Sequence, residues 1–165
     1  MIREVTLEDA QEIAEIYNYY VLNSCVTFEE FEVSIDEMRG RIEAVNSKFP
    51  WLVFEKDSEI LGYAYATMWK PRSAYKHTVE VSVYLKTEAK NAGIGTLLYK
   101  ELINQLTDLD FHAVIGGISL PNDASIALHE KFGFEKIAQF KEVGYKFKKW
   151  IDVGYWELLI NKKSI

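Results

Sequence analysis

The middle of the chain contains a strand-like segment, a turn with two glycines and a helix-like segment in direct succession. Residues 81–85 are mostly β-branched and aromatic, as in a buried strand, and residues 94–106 have the apolar spacing of a helix. The turn contains Gly93 and Gly95, which allow the backbone to approach a ligand closely. The first amides of a helix are unpaired donors at the positive end of its dipole. This order predicts an α/β unit whose turn binds an anion such as a pyrophosphate.

The hydrophobic pattern predicts further elements on both sides of this segment. A capping-box sequence at Thr6 predicts a helix over residues 7–22, and Ser34 caps a second helix. Residues 24–33 between these helices are predicted to be a loop. The other predicted elements are a helix over 123–131 and strands over 51–56, 59–69, 77–85, 113–118, 134–143 and 152–160. Residues 144–150 are predicted to be a loop joining the last two strands.

Size and composition limit the class of protein. With 165 residues, 48% of them hydrophobic, the chain is long enough for one domain with one core, which we expect to span residues 1–165. The net charge of -6 argues against a nucleic acid or an anionic membrane as partner, because both require a dense field of lysine and arginine. No segment approaches the roughly 18 apolar residues of a membrane span, and the N-terminus lacks the apolar run of a signal peptide.

Cys25 is the only cysteine, so the chain cannot form an internal disulfide. No group of cysteines and histidines has the spacing of zinc ligands. We therefore expect no metal, and a location in the reducing cytoplasm.

Motifs along nearly the whole chain resemble one enzyme family. The glycine turn is followed by a second helix that Asn122 and Ser125 begin and that ends in Lys131-Phe132-Gly133-Phe134; this pattern resembles the acetyl-CoA site of the GNAT N-acetyltransferases. Further motifs resemble the phosphinothricin acetyltransferase branch of that superfamily. They lie at residues 16–18, 51–53, 61–64, 77–80, 125–131 and 146–152. The resemblance implies an α/β fold of the GNAT acyl-CoA N-acyltransferase type, with a mixed twisted sheet flanked by helices. Its two central strands, here 77–85 and 113–118, would splay apart to admit a thioester.

The resemblance also implies acetyl-CoA as co-substrate. Its pantetheine would pair with the backbone at Val83 and Leu85, its pyrophosphate would bind at the glycine turn, and Asn122 would contact the pantetheine arm. The implied cofactor-binding residues are Val83, Tyr84, Leu85, Lys90, Asn91, Ala92, Gly93, Ile94, Gly95, Thr96, Asn122 and Ser125. Asn91 stands where many relatives have glycine, and asparagine tolerates left-handed backbone geometry. Lys90 replaces the more usual arginine or glutamine and can reach a phosphate without forming a bidentate fork.

Two residues are candidates for proton transfer. Glu80, in a motif that matches the family, is the candidate general base for the acceptor amine, since an amine with a pKa near ~10 is mostly protonated at neutral pH. The alternative for Glu80 is a strand residue that merely faces outward. His129 stands where many GNAT enzymes have a tyrosine that protonates the leaving thiolate, and a histidine can donate a proton near neutral pH. The alternative for His129 is a packing or capping residue.

The acceptor pocket is implied by resemblance alone. Its candidate residues are Phe28, Glu29, Lys70, Arg72, Tyr75, Lys76 and the loop over residues 145–150. The cations among them could bind the acidic groups of an amino-acid analogue, or could form only a solvated edge. Glu29 and Glu30 would equally suit a cationic amine. Aromatic strand residues such as Tyr155 and Trp156 fit either a homodimer interface or the core.

The predicted reaction is direct acetyl transfer from acetyl-CoA to the amine of a small amino-acid-like acceptor in a ternary complex. Phosphinothricin, methionine sulfoximine and methionine sulfone are the acceptors that the resemblance implies. An acyl-cysteine route through Cys25 has no supporting motif. The alternatives are acetylation of a peptide N-terminus or polyamine, and a non-catalytic CoA-binding module.

Overall fold

The computed structural model describes residues 1–161. Its strands are β1 (Ile2–Glu4), β2 (Trp51–Lys56), β3 (Glu59–Met68), β4 (Thr78–Leu85), β5 (Ala113–Ser119), β6 (Glu135–Lys146) and β7 (Lys149–Leu159). Its α-helices are α1 (Ala10–Asn23), α2 (Ile35–Asn46), α3 (Ile94–Asp108) and α4 (Asp123–Lys131). Short 3₁₀ turns lie at Leu7–Asp9, Ser73–Tyr75 and Thr87–Ala89. Each helix and strand predicted from the sequence is present, and the predicted bounds of α4 are confirmed.

The strands form one seven-stranded sheet in the order β1-β2-β3-β4-β5-β7-β6. Only β4 and β5 are parallel, and their ladder contains three residue pairs, Thr78 with Ala113, Val79 with Val114 and Glu80 with Ile115. Both strands continue beyond this ladder, β4 to Leu85 and β5 to Ser119, without pairing to each other. The predicted splay of the two central strands is therefore confirmed.

Each face of the sheet is covered by different helices. On one face, α1 and α2 pack over an aromatic cluster that includes Tyr17, Tyr63 and Tyr84. On the other face, α3 packs over an aliphatic core that includes Val79, Leu98 and Val114. Because side chains alternate along a strand, Glu80 lies on the α1 and α2 face of β4, with Ser82 and Tyr84. Within residues 1–161, no helix has the length and apolar character needed to cross a membrane.

The predicted loop over residues 144–150 is wrong. β6 continues to Lys146 and β7 begins at Lys149, so the two strands form one long hairpin. Phe147 and Lys148 both have positive φ, at 50° and 60°, as in a tight two-residue hairpin turn. The usual signals of such a turn are glycine or asparagine, and neither stands at these positions, so this turn has no local sequence signal.

The exposed apolar side chains of this hairpin do not include Trp156, which the sequence allowed either as a homodimer contact or as a core residue. Trp156 is 2% exposed and its indole Nε1 donates to Glu130 Oε1 at 3.3 Å, so it belongs to the core rather than to an interface. The exposed apolar side chains of β6, β7 and their turn are Ile137, Phe140, Val143, Tyr145, Phe147, Trp150 and Leu159. The Tyr145 and Trp150 rings contact each other across the strands, with centroids 4.7 Å apart.

Candidate active site

The splay of β4 and β5 exposes one backbone edge of β4. Thr78 O accepts from Trp69 N, and Lys86 N donates to Leu61 O, so even-numbered positions direct their backbone groups toward β3. The odd-numbered residues of β4 therefore direct their N–H and C=O groups toward β5 or, beyond the ladder, into the cleft. Val83 and Leu85 lie in this unpaired part, as the resemblance implies. The Leu85 carbonyl accepts from Tyr20 Oη at 2.6 Å, which leaves chiefly its N–H for a ligand.

Tyr84 does not share this position. Its backbone pairs with Tyr63 of β3, and its ring is buried with those of Tyr17 and Tyr20. Tyr84 therefore contributes a core side chain, and its backbone groups point toward β3. The backbone groups of its neighbours Val83 and Leu85 point into the cleft, because neighbouring strand residues alternate in direction.

Two consecutive glycines in β5 bring side chains to the cleft from opposite faces. A Cβ added at Gly117 would lie 2.9 Å from Glu80 Oε1, and a Cβ added at Gly116 would overlap the His129 ring. Adjacent strand positions face opposite sides of a sheet, so Glu80 and His129 approach β5 from its two sides. This glycine pair is a site feature absent from the predicted residues, and the signal that could have found it is glycine inside a strand, which often marks a close approach.

The Glu80 carboxylate has the environment of a base. Within residues 1–161, no hydrogen bond or ion pair reaches it, and its partial burial raises the pKa of the carboxyl group above the usual range. Tyr155 lies next to it across Gly117, since the same added Cβ would be 3.2 Å from Tyr155 Cε1. Tyr155 also meets the Trp69 ring edge to face, with centroids 5.6 Å apart. Tyr155 and Trp69 thus form an aromatic wall that sequence reasoning missed, because residues from distant strands create it.

His129 has both ring nitrogens engaged inside the protein. Nδ1 is 2.7 Å from the Ser125 carbonyl oxygen, so this nitrogen carries the proton and donates. Nε2 then accepts from Tyr99 Oη at 3.1 Å. The residue is 3% exposed, and burial lowers the pKa of the imidazole, which keeps it neutral at pH 7. This arrangement favours the packing alternative for His129 over a role as proton donor to the thiolate.

The glycine turn has the backbone geometry of an anion site. Asn91 and Gly93 have positive φ, at 62° and 79°, and the amides of Ile94, Gly95 and Thr96 begin α3. Gly95 needs no special backbone angle, and a Cβ added there would lie 3.6 Å from Leu128 and Leu85, an ordinary contact. The fold itself therefore does not require glycine at position 95, and close approach by a ligand would explain it.

Two lysines flank this turn. Lys90 Nζ lies 5.2 Å from the centroid of the Tyr20 ring, which holds its ammonium on the α1 side. Lys131 Nζ donates to Thr96 Oγ1 at 3.4 Å from the other side. In the sequence, Lys131 is only part of a family motif. The structure identifies it as a second cation beside the turn. Ala92 is exposed in the same turn.

Asn122 and Ser125 have structural partners at the start of α4. Asn122 is the N-cap, and its side-chain oxygen accepts from Ser125 N at 3.2 Å. Within residues 1–161 the Asn122 amide nitrogen donates no hydrogen bond, so it can still donate to a pantetheine arm. Because α3 and α4 follow the parallel strands β4 and β5, both helices begin at the same end of the cleft.

The candidate acceptor residues outside the β6–β7 hairpin fall into two segments of the chain. Phe28 and Glu29 lie in the loop over residues 24–33, where the Glu29 carboxylate pairs with both terminal nitrogens of Arg41, at 2.7 and 3.2 Å. Glu29 is therefore already occupied by a cation.

The second segment connects β3 to β4 and includes Lys70, Arg72, Tyr75 and Lys76. Arg72 and Lys76 are exposed and form no ion pair among residues 1–161, while Lys70 Nζ lies 5.4 Å from the centroid of the Trp69 ring. Tyr75 is part of the 3₁₀ turn and is 36% exposed.

Replacing Gly95 tests whether a ligand approaches α3 closely. We expect Gly95→Ala to melt at or above the unmodified protein, because alanine favours a helix, and to weaken CoA binding about 10-fold, the scale of one hydrogen bond that the methyl group would prevent. Isothermal titration calorimetry with CoA measures the effect. Gly40→Ala is the control, because nothing lies within 4 Å of a Cβ at that exposed helical glycine. Equal CoA affinity in Gly95→Ala and the unmodified protein would contradict close approach at this turn.

Comparison with known proteins places this geometry in a family. Residues 2–154 match the family model described as an acetyltransferase (GNAT) domain. The chain is similar to phosphinothricin N-acetyltransferase of Streptomyces viridochromogenes, with 36% identity over 156 residues that cover 94% of this chain and 85% of the relative. It is also similar to L-methionine sulfoximine/L-methionine sulfone acetyltransferase of Salmonella typhimurium, with 33% identity over 164 residues that cover 99% and 96% of the two chains.

A solved structure extends the likeness to the cofactor. The crystal structure of a GNAT superfamily phosphinothricin acetyltransferase from Sinorhizobium meliloti, in complex with acetyl-CoA, matches with a TM-score of 0.95 and 34% identity, covering 99% of this chain and 90% of that one. The predicted fold, the acyltransferase class and acetyl-CoA as co-substrate are thereby confirmed. The chain belongs to the GNAT family of acetyl-CoA-dependent acetyltransferases.

Proposed function

We propose that this enzyme acetylates the amine of a small amino-acid-like molecule such as phosphinothricin, methionine sulfoximine or methionine sulfone. The observation that carries the proposal is the unpaired Glu80 carboxylate beside Gly117, at the point where β4 and β5 separate. A carboxylate without an internal partner, at the mouth of a cleft for a thioester, is suited to accept a proton from an amine. The names of the two relatives described above support the acceptor class.

The exposed charges of the connection between β3 and β4 favour an acceptor that carries an acidic group. The exposed Arg72 and Lys76 have no ion-pair partner among residues 1–161, so they can bind a carboxylate or a phosphinyl or sulfonyl oxygen. Glu29, which could otherwise attract a polyamine, is paired with Arg41. This distribution supports an amino-acid analogue over a polycation.

In the proposed reaction both substrates are bound together. Acetyl-CoA supplies the thioester carbonyl that the amine attacks and the thiolate that leaves. Val83 and Leu85 would hold the pantetheine through backbone groups, and the amides at the start of α3 would bind the pyrophosphate. Glu80 would take the amine proton directly or through one water. Since His129 has both nitrogens engaged, we assign the protonation of the thiolate to solvent rather than to His129.

Direct transfer is favoured over an acyl-cysteine intermediate. Cys25 is the only cysteine of the sequence, and it lies in the loop over residues 24–33. The side chains that meet β5 at the cleft are Glu80, His129 and Tyr155, and none of them is a thiol.

The acceptor is tested by following CoA release with a thiol reagent against a panel of amines. The panel contains phosphinothricin, methionine sulfoximine, methionine sulfone, ordinary amino acids, polyamines and short peptides. We expect saturable turnover with the tetrahedral phosphorus or sulfur analogues. Activity with peptides or polyamines alone would contradict the acceptor class, and tight CoA binding without turnover on any amine would indicate a binding module instead of an enzyme.

Glu80→Gln tests the base. The raised pKa of Glu80 means that its carboxylate form appears at higher pH than for an exposed glutamate, so activity should fall as the pH drops through that raised pKa. We expect Glu80→Gln to lower kcat about 100-fold at pH values below the pKa of the acceptor amine, and less above it. CoA affinity should not change. A pH–rate profile identical to that of the unmodified enzyme would exclude Glu80 as the base.

Thermal stability is the control for this variant. A folded-state pKa above the unfolded value means that ionisation is less favourable in the folded protein, so any stability associated with Glu80 is present at low pH and is lost as the pH rises through the folded pKa. Glutamine cannot ionise. Glu80→Gln should therefore melt at or above the melting temperature of the unmodified enzyme at neutral pH, and lost activity cannot then be attributed to unfolding.

We propose that the enzyme is a homodimer. The support is the β6–β7 hairpin, whose seven exposed apolar side chains include Val143 at 60% exposure and Trp150 at 63%. Exposed apolar patches of this kind often mark protein–protein contacts. Sedimentation velocity should show a dimer that Trp150→Lys weakens, and a monomer at all concentrations would contradict the proposal.

We further propose a cytoplasmic location, which fits an unpaired Cys25 and which cell fractionation tests.

A further inference from the structure

A lysine near the end of the sheet is almost completely buried and has no place in the reaction proposed above. Lys146, the last residue of β6, is 2% exposed, and its Nζ donates to the Thr27 carbonyl oxygen at 2.8 Å. Burial lowers the pKa of its ammonium group. A buried amine is costly to maintain unless it is hydrogen bonded. The bond to Thr27 joins segments that are 119 residues apart in sequence.

Thr27 belongs to the loop over residues 24–33, which we name the acceptor loop. Other contacts fix the same short stretch of this loop. Thr27 Oγ1 is 2.7 Å from Tyr17 Oη, and the Phe28 ring lies where Gly144 of β6 has no side chain, since a Cβ there would overlap the ring. The stretch is thus held between α1 on one side and β6 on the other.

The position of the acceptor loop is connected to the face that carries Glu80. The Tyr17 ring, bonded through its hydroxyl to Thr27, meets the Tyr84 ring edge to face with centroids 5.2 Å apart. Tyr84 and Glu80 lie on the same face of β4, because they are separated by an even number of residues. A shift of Thr27 would therefore move the loop relative to the surface on which the acceptor amine must meet the base.

We propose that Lys146 is a positioning residue for the acceptor. Its ammonium fixes the Thr27 carbonyl, and with it Phe28, at the wall of the acceptor site. Acetyl-CoA binds at the start of α3 and along β4, which Lys146 does not contact, so its binding should not depend on this lysine. The inference rests on the proposed function in one respect, namely that the acceptor loop borders the acceptor site.

Lys146→Met tests the tether, because methionine has similar length and cannot donate to Thr27. The matched control is Lys141→Met, which replaces an exposed lysine of the same strand outside the candidate acceptor residues. Amide hydrogen exchange should accelerate in residues 24–33 of Lys146→Met only. Its KM for the acceptor should rise about 10-fold or more, the scale of one lost charge-assisted hydrogen bond, while KM for acetyl-CoA should stay within about twofold.

Unchanged exchange in the acceptor loop would overturn the tether, whatever the acceptor proves to be. Faster exchange with an unchanged acceptor KM would overturn the positioning role and would also show that the loop is not part of the acceptor site. Exchange can be measured without any acceptor, so a failure of the proposed acceptor class is distinguishable from a failure of the tether. If Lys146→Met does not fold, Gly144→Ala provides the second variant. The added methyl group would displace the Phe28 ring and leave Lys146 in place. The KM for the acceptor should again rise while the KM for acetyl-CoA stays unchanged.

Discussion

The early end of the β4–β5 ladder is the constraint on which the site depends. After three residue pairs the two parallel strands separate, although both continue for several residues. Separation leaves backbone groups of β4 at Val83 and Leu85 without a partner strand, and buried backbone groups require a hydrogen-bonding partner. A pantetheine arm can supply that partner in the manner of an added strand. The same separation exposes Gly117 and opens a passage between the two faces of the sheet.

The candidate base and the candidate pyrophosphate site lie on opposite faces of the sheet. Glu80 and Tyr155 lie on the face covered by α1 and α2, while the glycine turn leads into α3 on the other face. In the proposed reaction a long co-substrate would cross the sheet here and present its thioester to an amine from the opposite side. Lys146 of the β6–β7 hairpin joins the sheet to the loop over residues 24–33 through its hydrogen bond to Thr27.

The sequence predicted the fold well where local chemistry decides it. The Ser34 cap of α2, the bounds of α4 and the positive φ of Asn91 follow from side-chain and backbone preferences that a single segment contains. It predicted less well where distant segments meet. The turn at Phe147 and Lys148 lacks the usual turn residues and is imposed by the pairing of β6 with β7. The hydrogen bond between His129 and Tyr99 joins two different helices, which no spacing rule could indicate.

A crystal structure with a stable acetyl-CoA analogue and an acceptor amino acid tests the central claim most directly. If the split between β4 and β5 is the reaction site, the thioester carbon will lie beside Gly117, and the acceptor nitrogen will be about 3 Å from Glu80 or one water away. An acceptor nitrogen bound beyond the reach of Glu80 and of any bridging water would contradict the account, even if the co-substrate occupied the cleft.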